Sequence, residues 1–457
     1  MFRSLFYFVA FVCVCSTSSA QTTTLELFPE LASHRTTTIR FLPKDTLLKE
    51  GNAAVVMLRM IWEQQTFMQN VVPKIPEFLA LPFDDPRLAK DFPFDGRQEE
   101  LYRAAFMRDA DWNYPLHEEP LATILLPDIQ GMRTFAGHGL TLWTRIRIAK
   151  RDYAAAHEGI LTQLACARHL ARTPILVNRL VAESIARQAL ENIELLIQQP
   201  DSPNLYWALA LLPDELGDSS AFLQWESEML PRSLPSLRNG EPDTEDPRWK
   251  KIAEEFSTFM TVAIAIKPMS VQEGLALQSR MLAEAKAYLV REQLCTEQQL
   301  KNWSEEAIVM RWILDLNAVI NGRIEAAYQL APPLALEELA EVMKVIDDET
   351  KKINAPASPF PASCRNIHIS THLFDRNVKF LQTIEALRDY AASHYNQLPK
   401  SLGELELHTP SDPLTGKPFL YELNGDEATL STPEISDLTK EQQQSIPKSY
   451  TLTIKKN

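Results

Sequence analysis

The sequence contains little glycine: 13 of its 457 residues, or about 3%, where an average protein has about 7%. Phosphate-binding loops need several glycines at fixed spacing, because only glycine lets the backbone approach a phosphate so closely. Gly137-His138-Gly139 begins such a pattern, but Leu142 stands where the third glycine would be. The strings G-x-x-x-x-G-K-[ST], G-x-S-x-G and H-E-x-x-H do not occur. The sequence therefore predicts neither a nucleotide-binding loop nor a catalytic motif of these kinds.

Positively charged residues are also scarce relative to acidic ones, with 46 Lys and Arg against 60 Asp and Glu and a formal net charge of −14. Proteins that bind nucleic acid normally carry a basic face, so we expect no nucleic-acid partner. Hydrophobic residues make up 45% of the chain. This apolar content is enough for a large folded core and excludes a collagen-like or grossly disordered chain.

Cysteine is rare, and two of the five cysteines lie within the first twenty residues. The remaining three, Cys166, Cys295 and Cys364, are too few to form a disulfide scaffold in so long a chain. Cys166 and Cys295 fall in helical patterns, where we interpret them as small buried hydrophobic residues. The sequence leaves open whether any two of the three form a disulfide.

Long apolar runs are absent, and the run at the N-terminus has the pattern of a secretory signal peptide over residues 1–20. Arg3 supplies a positive charge, residues 5–15 are apolar, and Ser18 and Ala20 place small residues before a cut after Ala20. The run is shorter than the roughly 20 residues needed to cross a bilayer, although a retained anchor is the alternative. The sequence therefore predicts a periplasmic or secreted protein with no integral membrane span after signal removal.

Most of the chain has helical periodicity, and prolines separate the periodic segments. Apolar residues recur at three- and four-residue spacing over 160–171 and 176–199, with Thr173-Pro174 between them. Segments 308–328 and 334–346 flank Pro332-Pro333 in the same way. Two helices joined by so short a break pack as an antiparallel hairpin. We found no sustained 34-residue period, so a regular helical solenoid is the lesser alternative.

The chain changes character near residue 353. Residues 353–367 contain three prolines and no period, which indicates a linker. Beyond it, one helical segment precedes apolar alternation over 419–423, 428–431 and 450–454, with the hairpin-turn signal Asn424-Gly425-Asp426 between the first two. The predicted fold is mainly α, built from irregular helical hairpins, with a small C-terminal α+β module. The predicted segments are a signal peptide (1–20), an N-terminal extended segment (21–50), a helical domain (51–352), a linker (353–367) and the α+β module (368–457).

Three local predictions accompany this division. Residues 16–24 are rich in Ser and Thr and indicate a mobile N-terminus. Residues 36–42 are rich in β-branched side chains and indicate a short strand. Residues 73–95 carry five prolines and several aspartates and indicate a long surface loop.

Two stretches resemble known families. The segment 202–213, which reads Ser-Pro-Asn-Leu-Tyr-Trp-Ala-Leu-Ala-Leu-Leu-Pro, resembles one in a family of secreted proteins of planctomycete type, where it also follows a helical hairpin. The resemblance implies family membership and no activity. On physical grounds we expect Asn204 to cap a short helix and Leu205, Trp207 and Leu209 to pack it onto the hairpin. A ligand platform at Tyr206 and Trp207 is the alternative.

The C-terminal module is similar to the globular head of the pseudopilins of type II secretion. A helix over 384–395 leads to Ser411-Asp412-Pro413-Leu414-Thr415-Gly416-Lys417-Pro418 and then to a small sheet. The resemblance implies a fold of this kind over roughly 60 residues. Pseudopilins carry their assembly helix at the N-terminus, whereas this module lies far along the chain behind a signal peptide, so we interpret it as the fold without pseudopilus assembly.

One combination of residues could form a metal site. His368 and His372 are four residues apart, which places both imidazoles on one face of a helix at a spacing that suits zinc. Cys364 and Asp375 could complete the cluster. The alternative is that these polar residues border a linker and the beginning of a helix.

Other polar clusters are less specific. Asp84, Asp85, Asp91 and Asp95 could bind calcium, but they lack the D-x-[DN]-x-[DN]-G pattern, and a solvated loop is the alternative. The acidic clusters 109–111 and 117–119 indicate no particular chemistry. We therefore nominate no catalytic, cofactor-binding or metal-binding residue and expect no cofactor.

These observations favour a non-catalytic helical binding or scaffolding protein whose partner is an unknown protein or polymer. The first alternative is an extracellular hydrolase with carboxylate chemistry, because aromatic residues, including eight Trp and eleven Tyr, line many sugar clefts. The second alternative, a component of an envelope secretion system, depends only on the pseudopilin resemblance.

Overall fold

The computed structural model describes residues 23–116, 127–214, 216, 219–238, 240–263, 271–352, 360–435 and 448–455. The predicted signal peptide and the acidic cluster 117–119 lie outside these residues. Contacts divide the chain into two compact units. The first, here called the hairpin unit, contains 114–116 and Ser219–His368; the second, the sheet unit, contains the described residues of 23–113, 127–216 and 369–455.

The sheet unit contains most of the described helices before residue 219. In chain order they are α1 (Ala53–Glu63), α2 (Gln65–Asn70), α3 (Ile75–Ala80), α4 (Pro86–Asp91), α5 (Asp95–Ala105), α6 (Pro127–Met132), α7 (Leu140–Ala149), α8 (Tyr153–Ala171), α9 (Leu176–Leu196) and α10 (Tyr206–Ala210). Helix α1 begins where the side chain of Asn52 accepts a hydrogen bond from the Ala54 amide. A π-helical stretch, Arg133–Gly139, joins α6 to α7.

The predicted hairpin over 160–199 is confirmed as α8 and α9, which pack against each other in the core of the sheet unit. Asp152 caps α8 by accepting a hydrogen bond from the Ala155 amide. The apolar stripe of α9 is buried, including Val181, Ile185 and Ile193. The periodicity was therefore sufficient to identify this pair, because both helices bury a continuous apolar face.

Two predictions for the N-terminal third were wrong. The segment 36–42 contains a 3-10 turn, Thr36–Thr38, instead of a strand, because the three threonine hydroxyls bond carbonyls three residues earlier. The segment 73–95 contains α3 and α4 instead of one long loop. Pro76 and Pro86 lie in the first turns of these helices, where a missing amide removes no helical hydrogen bond.

The sheet unit also contains a four-stranded sheet. Its strands are β1 (Thr23–Leu27), β4 (Leu420–Asn424), β5 (Glu427–Ser431) and β6 (Ser449–Ile454), in the order β1-β6-β5-β4. The three predicted C-terminal strands and the turn at Gly425, whose φ is 67°, are confirmed. The prediction of a mobile segment over 16–24 was wrong for its last two residues, which belong to β1. Strand β1 pairs in parallel with β6, and Leu25 and Leu27 are buried. Strands β2 (Lys49–Asn52) and β3 (Met107–Asp109) form a separate pair.

Helices are the regular elements of the hairpin unit among its described residues. Its helices are α11 (Ser219–Ser227), α12 (Met229–Arg232), α13 (Arg248–Ala263), α14 (Val271–Arg291), α15 (Glu297–Leu300), α16 (Glu305–Ala327) and α17 (Pro332–Lys352). The predicted hairpin across Pro332-Pro333 is confirmed as α16 and α17. Trp312 of α16 packs with Leu289 of α14 in one apolar cluster, and Trp249 of α13 packs with Met310 in another.

The last helix, α18, spans Phe360–Ser393 and contributes residues to both units. It begins inside the predicted linker 353–367, because Pro361 occupies its first turn, where proline fits a helix. Residues 353–359 lie outside the described part of the chain. The mainly α fold with a small C-terminal α+β module is confirmed. The predicted domain boundaries stay a prediction.

No described helix combines the length and the apolar character that crossing a bilayer requires.

Candidate functional site

A pocket of about 290 Å³ opens between α1 and α5 in the sheet unit. Its lining comes from the end of α1 and the first half of α5: Arg59, Met60, Glu63, Gln64, Gly96, Arg97 and Glu100. Arg59 Nε lies 2.7 Å from Glu63 Oε1, and Glu100 pairs with Arg103. Three of the charged side chains in the pocket, Arg59, Glu63 and Glu100, thus each have a neighbour of opposite charge.

Arg97 is different from the other charged residues of the pocket. Its Nη1 donates a 2.8 Å hydrogen bond to the Pro93 carbonyl, and its guanidinium carbon lies 4.1 Å from the centre of the Phe67 ring. Its Nε is buried without a hydrogen-bond partner among the described residues. Burial lowers the pKa of Arg97, and no described carboxylate acts to raise it. The pocket therefore contains a partly buried cation with no counter-ion, which is costly.

A cluster of phenylalanines fixes Arg97 from below. The Phe67 ring lies 5.5 Å from Phe135 and 5.9 Å from Phe94, and the Phe92 ring stacks on Phe94 at 5.5 Å. All four rings are buried. The guanidinium therefore lies on a closely packed layer of buried aromatic rings, which limits its movement at the pocket.

Apolar side chains lie exposed on α1 beside the pocket. Val55 is 59% exposed and Trp62 is 74% exposed. Their spacing from Arg59, four residues before and three after, places all three on one side of the helix. We call Val55, Trp62 and the pocket together the α1–α5 face. Exposed aromatic side chains next to a pocket are characteristic of binding surfaces.

A second charged group, in contrast, is fully buried and fully bonded. Arg388 and Glu385 of α18 are both 0% exposed, and Arg388 Nη1 lies 2.8 Å from Glu385 Oε1. Arg388 also donates to the carbonyls of Ser202 (3.1 Å) and Phe28 (2.8 Å). Glu385 accepts from the Leu205 amide at 2.8 Å, and burial raises its pKa. We call this group the Arg388–Glu385 centre.

The segment 202–213 supplies much of the Arg388–Glu385 centre. The Asn204 side chain accepts from the Tyr206 amide at 3.0 Å, as the prediction of a helix cap required. Its amide nitrogen donates to the carbonyls of Glu30 and Glu385, both at 2.9 Å. Asn204 thus forms hydrogen bonds with α10, α18 and the N-terminal segment, and these bonds give it a structural role.

The turn that resembles the pseudopilin head has a similar role. Asp412 is buried; its Oδ1 lies 2.9 Å from Arg376 Nε, and its Oδ2 accepts from the Thr415 hydroxyl at 2.6 Å. The Gly416 amide donates to the Asp412 carbonyl, and Gly416 has a φ of 68°. Only glycine adopts this conformation without strain, so Asp412 and Gly416 act first as turn residues.

Two of the residues considered for zinc have other neighbours. His368 is buried with its ring centre 4.7 Å from that of Tyr328, whereas Asp375 Oδ2 lies 2.6 Å from Lys379 Nζ. The side chain of Cys364 lies outside the described residues. Across the described ranges, no three His, Cys, Asp or Glu side chains form a group that could hold a metal ion.

Asp375 instead forms a carboxyl pair. It is 4% exposed and hydrogen-bonds the exposed Asp214, and Lys379 Nζ lies 3.4 Å from Asp214 Oδ1. Burial is the main cause that raises the pKa of Asp375 to about 6, and the contact with Asp214 adds to it. Two carboxyl groups in contact favour a shared proton.

Two of the four aspartates considered for calcium have other partners. Asp85 caps α4 and pairs with Arg87, while Asp95 accepts from Trp143 Nε1 and pairs with Arg147. The pKa of Asp85 is lowered to about 2, chiefly by its hydrogen bonds with Arg87. These carboxylates therefore act in helix capping and ion pairing.

The G-x-G pattern also has a structural explanation. Gly137-His138-Gly139 lies in the π-helical stretch, where a Cβ on Gly139 would come within 2.4 Å of the Phe94 ring. The widened turn leaves the Gly137 carbonyl to accept from Gln163 Nε2 at 3.2 Å. Close packing against Phe94 therefore explains why glycine occupies position 139.

Cys166 and Cys295 are buried free thiols, as expected for small hydrophobic residues. The helical position predicted for Cys295 was wrong, because this residue lies in the connection between α14 and α15. Burial raises the pKa of both. They are therefore poor nucleophiles at neutral pH.

Sequence reasoning missed Arg97 and Trp62. A sequence shows that Arg97 has acidic neighbours, but only the folded chain shows that none of them pairs with it. One signal in the sequence could have indicated this surface: Trp62, a large aromatic residue, is followed directly by the polar run Glu63-Gln64-Gln65.

Comparisons with known proteins add no analogue: no family model, no curated protein and no solved structure matches this chain. The geometry of the α1–α5 face is therefore the basis for assigning a function.

Proposed function

We propose that this chain is an exported, non-catalytic helical protein that binds a protein or polymeric partner through the α1–α5 face. The observation that carries the proposal is the exposed Trp62 beside a pocket that contains an arginine with no counter-ion in the described part of the chain. Exposed aromatic side chains and arginine are the residue types that contribute most to binding energy at interfaces. Export is supported by the signal-peptide pattern of residues 1–20.

The environment of the buried charges supports a non-catalytic protein. Arg388, Glu385, Arg376 and Asp412 bond to one another and to the backbone, and none of them lines the pocket. A catalytic site needs an acid, base or nucleophile that can reach a substrate. These four buried charged residues serve the fold.

Photo-cross-linking in cells tests the binding proposal. We replace Trp62 by p-benzoylphenylalanine in the full chain and, as a matched control, Val319, an exposed apolar residue of α16. Position 62 should yield one discrete adduct that position 319 does not. Absence of any adduct at position 62, or the same adducts at both positions, would contradict the proposal.

Export is tested separately by sequencing the N-terminus of the protein recovered outside the cytoplasm. Cleavage after Ala20 would leave Gln21 as the first residue. Deletion of residues 2–20 should retain the protein inside the cell. Recovery of an uncleaved chain would instead indicate a retained anchor.

A hydrolase with carboxylate chemistry is the second candidate, and the Asp214–Asp375 pair is the observation that favours it. A buried acid with a pKa of about 6 is suited to proton transfer near neutral pH. Its partner Lys379, however, is already bonded to both carboxylates. Hydrolysis of glycans or esters by the wild-type protein, lost in Asp375→Asn, would establish this alternative; an inactive wild-type protein would exclude it for those substrates.

A further inference from the structure

We propose that the pocket between α1 and α5 binds the free C-terminal carboxylate of a peptide whose last side chain is apolar. The inference rests on the proposed function, because it names the ligand class of the same α1–α5 face. It follows from three features of the pocket: the unpaired guanidinium of Arg97, the acids around it, and the apolar surface beside it.

The first feature is the charge balance. Arg59 is engaged by Glu63 and Glu100 by Arg103, whereas Arg97 has one carbonyl partner and an aromatic ring but no carboxylate among the described residues. A partly buried cation is stabilised when an anion occupies the space next to it. A guanidinium also binds planar oxyanions with two parallel hydrogen bonds, which makes it selective for them.

The second feature is the pair of acids in the pocket wall. Glu63 and Glu100 would repel a doubly charged phosphate more strongly than a singly charged carboxylate. The pocket therefore favours a carboxylate over a phosphate, although a guanidinium alone would accept either.

The third feature is apolar contact. Met60 contributes to the pocket, and Val55 and Trp62 extend the apolar surface along α1. At about 290 Å³ the pocket is at the small end of ligand sites. Its size suits one terminal residue, while the preceding residues of a peptide would lie along α1.

The experiment titrates the full chain with N-acetyl-leucine and follows binding by ligand-observed NMR. N-acetyl-leucinamide, which lacks the charge, should bind at least about tenfold more weakly, and inorganic phosphate should not compete. Equal binding of the acid and the amide, or competition by phosphate, would overturn the inference.

Two variants locate the binding in the pocket. Arg97→Gln removes the cation, and Gly96→Leu fills the pocket, since a Cβ on Gly96 meets no atom within 4 Å. Both should weaken N-acetyl-leucine binding at least about tenfold. The control is Gly322→Leu on α16, where a Cβ also meets open space. Unchanged affinity in Gly96→Leu would place any binding elsewhere.

Gly96→Leu also separates a loss of binding from a loss of folding. Gly96 lies in the first turn of α5, and leucine has less conformational freedom than glycine in the unfolded chain, so this variant should lose the ligand without losing stability. If N-acetyl-leucine fails to bind but Trp62 still gives its adduct, the proposed function stands and this inference falls. If the acid binds as expected but no adduct forms, the carboxylate site stands and the macromolecular partner does not.

Discussion

Arg388 and Arg97 belong to the same unit, but Arg388 is fully buried, Arg97 is only partly buried, and their surroundings differ. Arg388 is 0% exposed, and it bonds Glu385, Ser202 and the Phe28 carbonyl. Arg97 bonds one carbonyl, stacks on a ring, and leaves its Nε without a partner among the described residues. A buried charge that serves the fold has its partners within the chain. A charge at a pocket without such partners is available to a ligand, and this difference assigns the two arginines to different roles.

The largest effect is expected at the Arg388–Glu385 centre. Arg388→Ala leaves the Glu385 carboxylate buried without its cation, which should destabilise the protein by about 3–5 kcal/mol. Urea unfolding of the mature chain measures this loss. A loss below about 1 kcal/mol would mean that the centre is not the desolvated pair that the structure indicates.

The double variant Arg388→Met/Glu385→Leu is the control for this prediction. It removes both charges together, so no charge is left unpaired, although the carbonyls and amide that they bonded lose partners. We expect it to be more stable than Arg388→Ala. The reverse order would show that the cost comes from lost hydrogen bonds instead of the orphaned charge.

Asp375 should make the stability of the sheet unit depend on pH. Its pKa is about 6 in the folded protein, above the ordinary value of 3.8, so folding favours the protonated form. The free energy of unfolding should therefore fall as the pH rises from about 4 to about 6, by up to about 3 kcal/mol. Unfolding measured across this range tests the prediction.

Asp375→Asn cannot ionise and should flatten this part of the pH profile without lowering stability at pH 7. Asp348→Asn is the matched control, because Asp348 is exposed on α17 and pairs only with Lys351 at 3.8 Å. If both variants keep the wild-type pH dependence of the free energy of unfolding, a group other than Asp375 binds the proton.

Asn204 carries the next smaller effect. Asn204→Ala removes the acceptor of the Tyr206 amide and two donors to buried carbonyls, so we expect a loss of about 2 kcal/mol. Trp207→Ala, which truncates the partly exposed neighbour, should cost less. An equal cost for the two variants would indicate that apolar packing, and not the shared hydrogen bonds, holds this segment.

The same comparison shows what a sequence can and cannot predict. The α8–α9 hairpin, strands β4 to β6 and the Asn204 cap depend on residues close together in the chain, and local patterns predicted them. The Arg388–Glu385 centre joins Arg388 to Ser202, 186 residues earlier, and strand β1 pairs with β6 at the other end of the chain. Local periodicity carries no information about such pairings.

The candidate site was harder to predict than the fold for a different reason. Its defining feature is that Arg97 lacks a carboxylate partner although Glu63 and Glu100 line the same pocket. A sequence shows which charges are present, but the pairing between them depends on side-chain geometry. The combinations considered for zinc and calcium show the same difficulty, since Asp375, Asp85 and Asp95 each bond to another side chain.

The smallest effect on stability is expected at Arg97, whose surroundings contrast with those of Arg388. Arg97→Gln removes one hydrogen bond to Pro93 and the contact with Phe67, but it also relieves a partly buried cation that has no counter-ion. These contributions oppose each other, so the free energy of unfolding should change by less than about 1 kcal/mol. Urea unfolding of Arg97→Gln and of Arg388→Ala under the same conditions tests this directly, since both variants replace an arginine of the same unit. A loss of several kcal/mol in Arg97→Gln would show that Arg97 is as structural as Arg388 and would remove the basis for a ligand site. A change close to zero in the free energy of unfolding would show that the Arg97 guanidinium contributes little to stability, as a binding role requires.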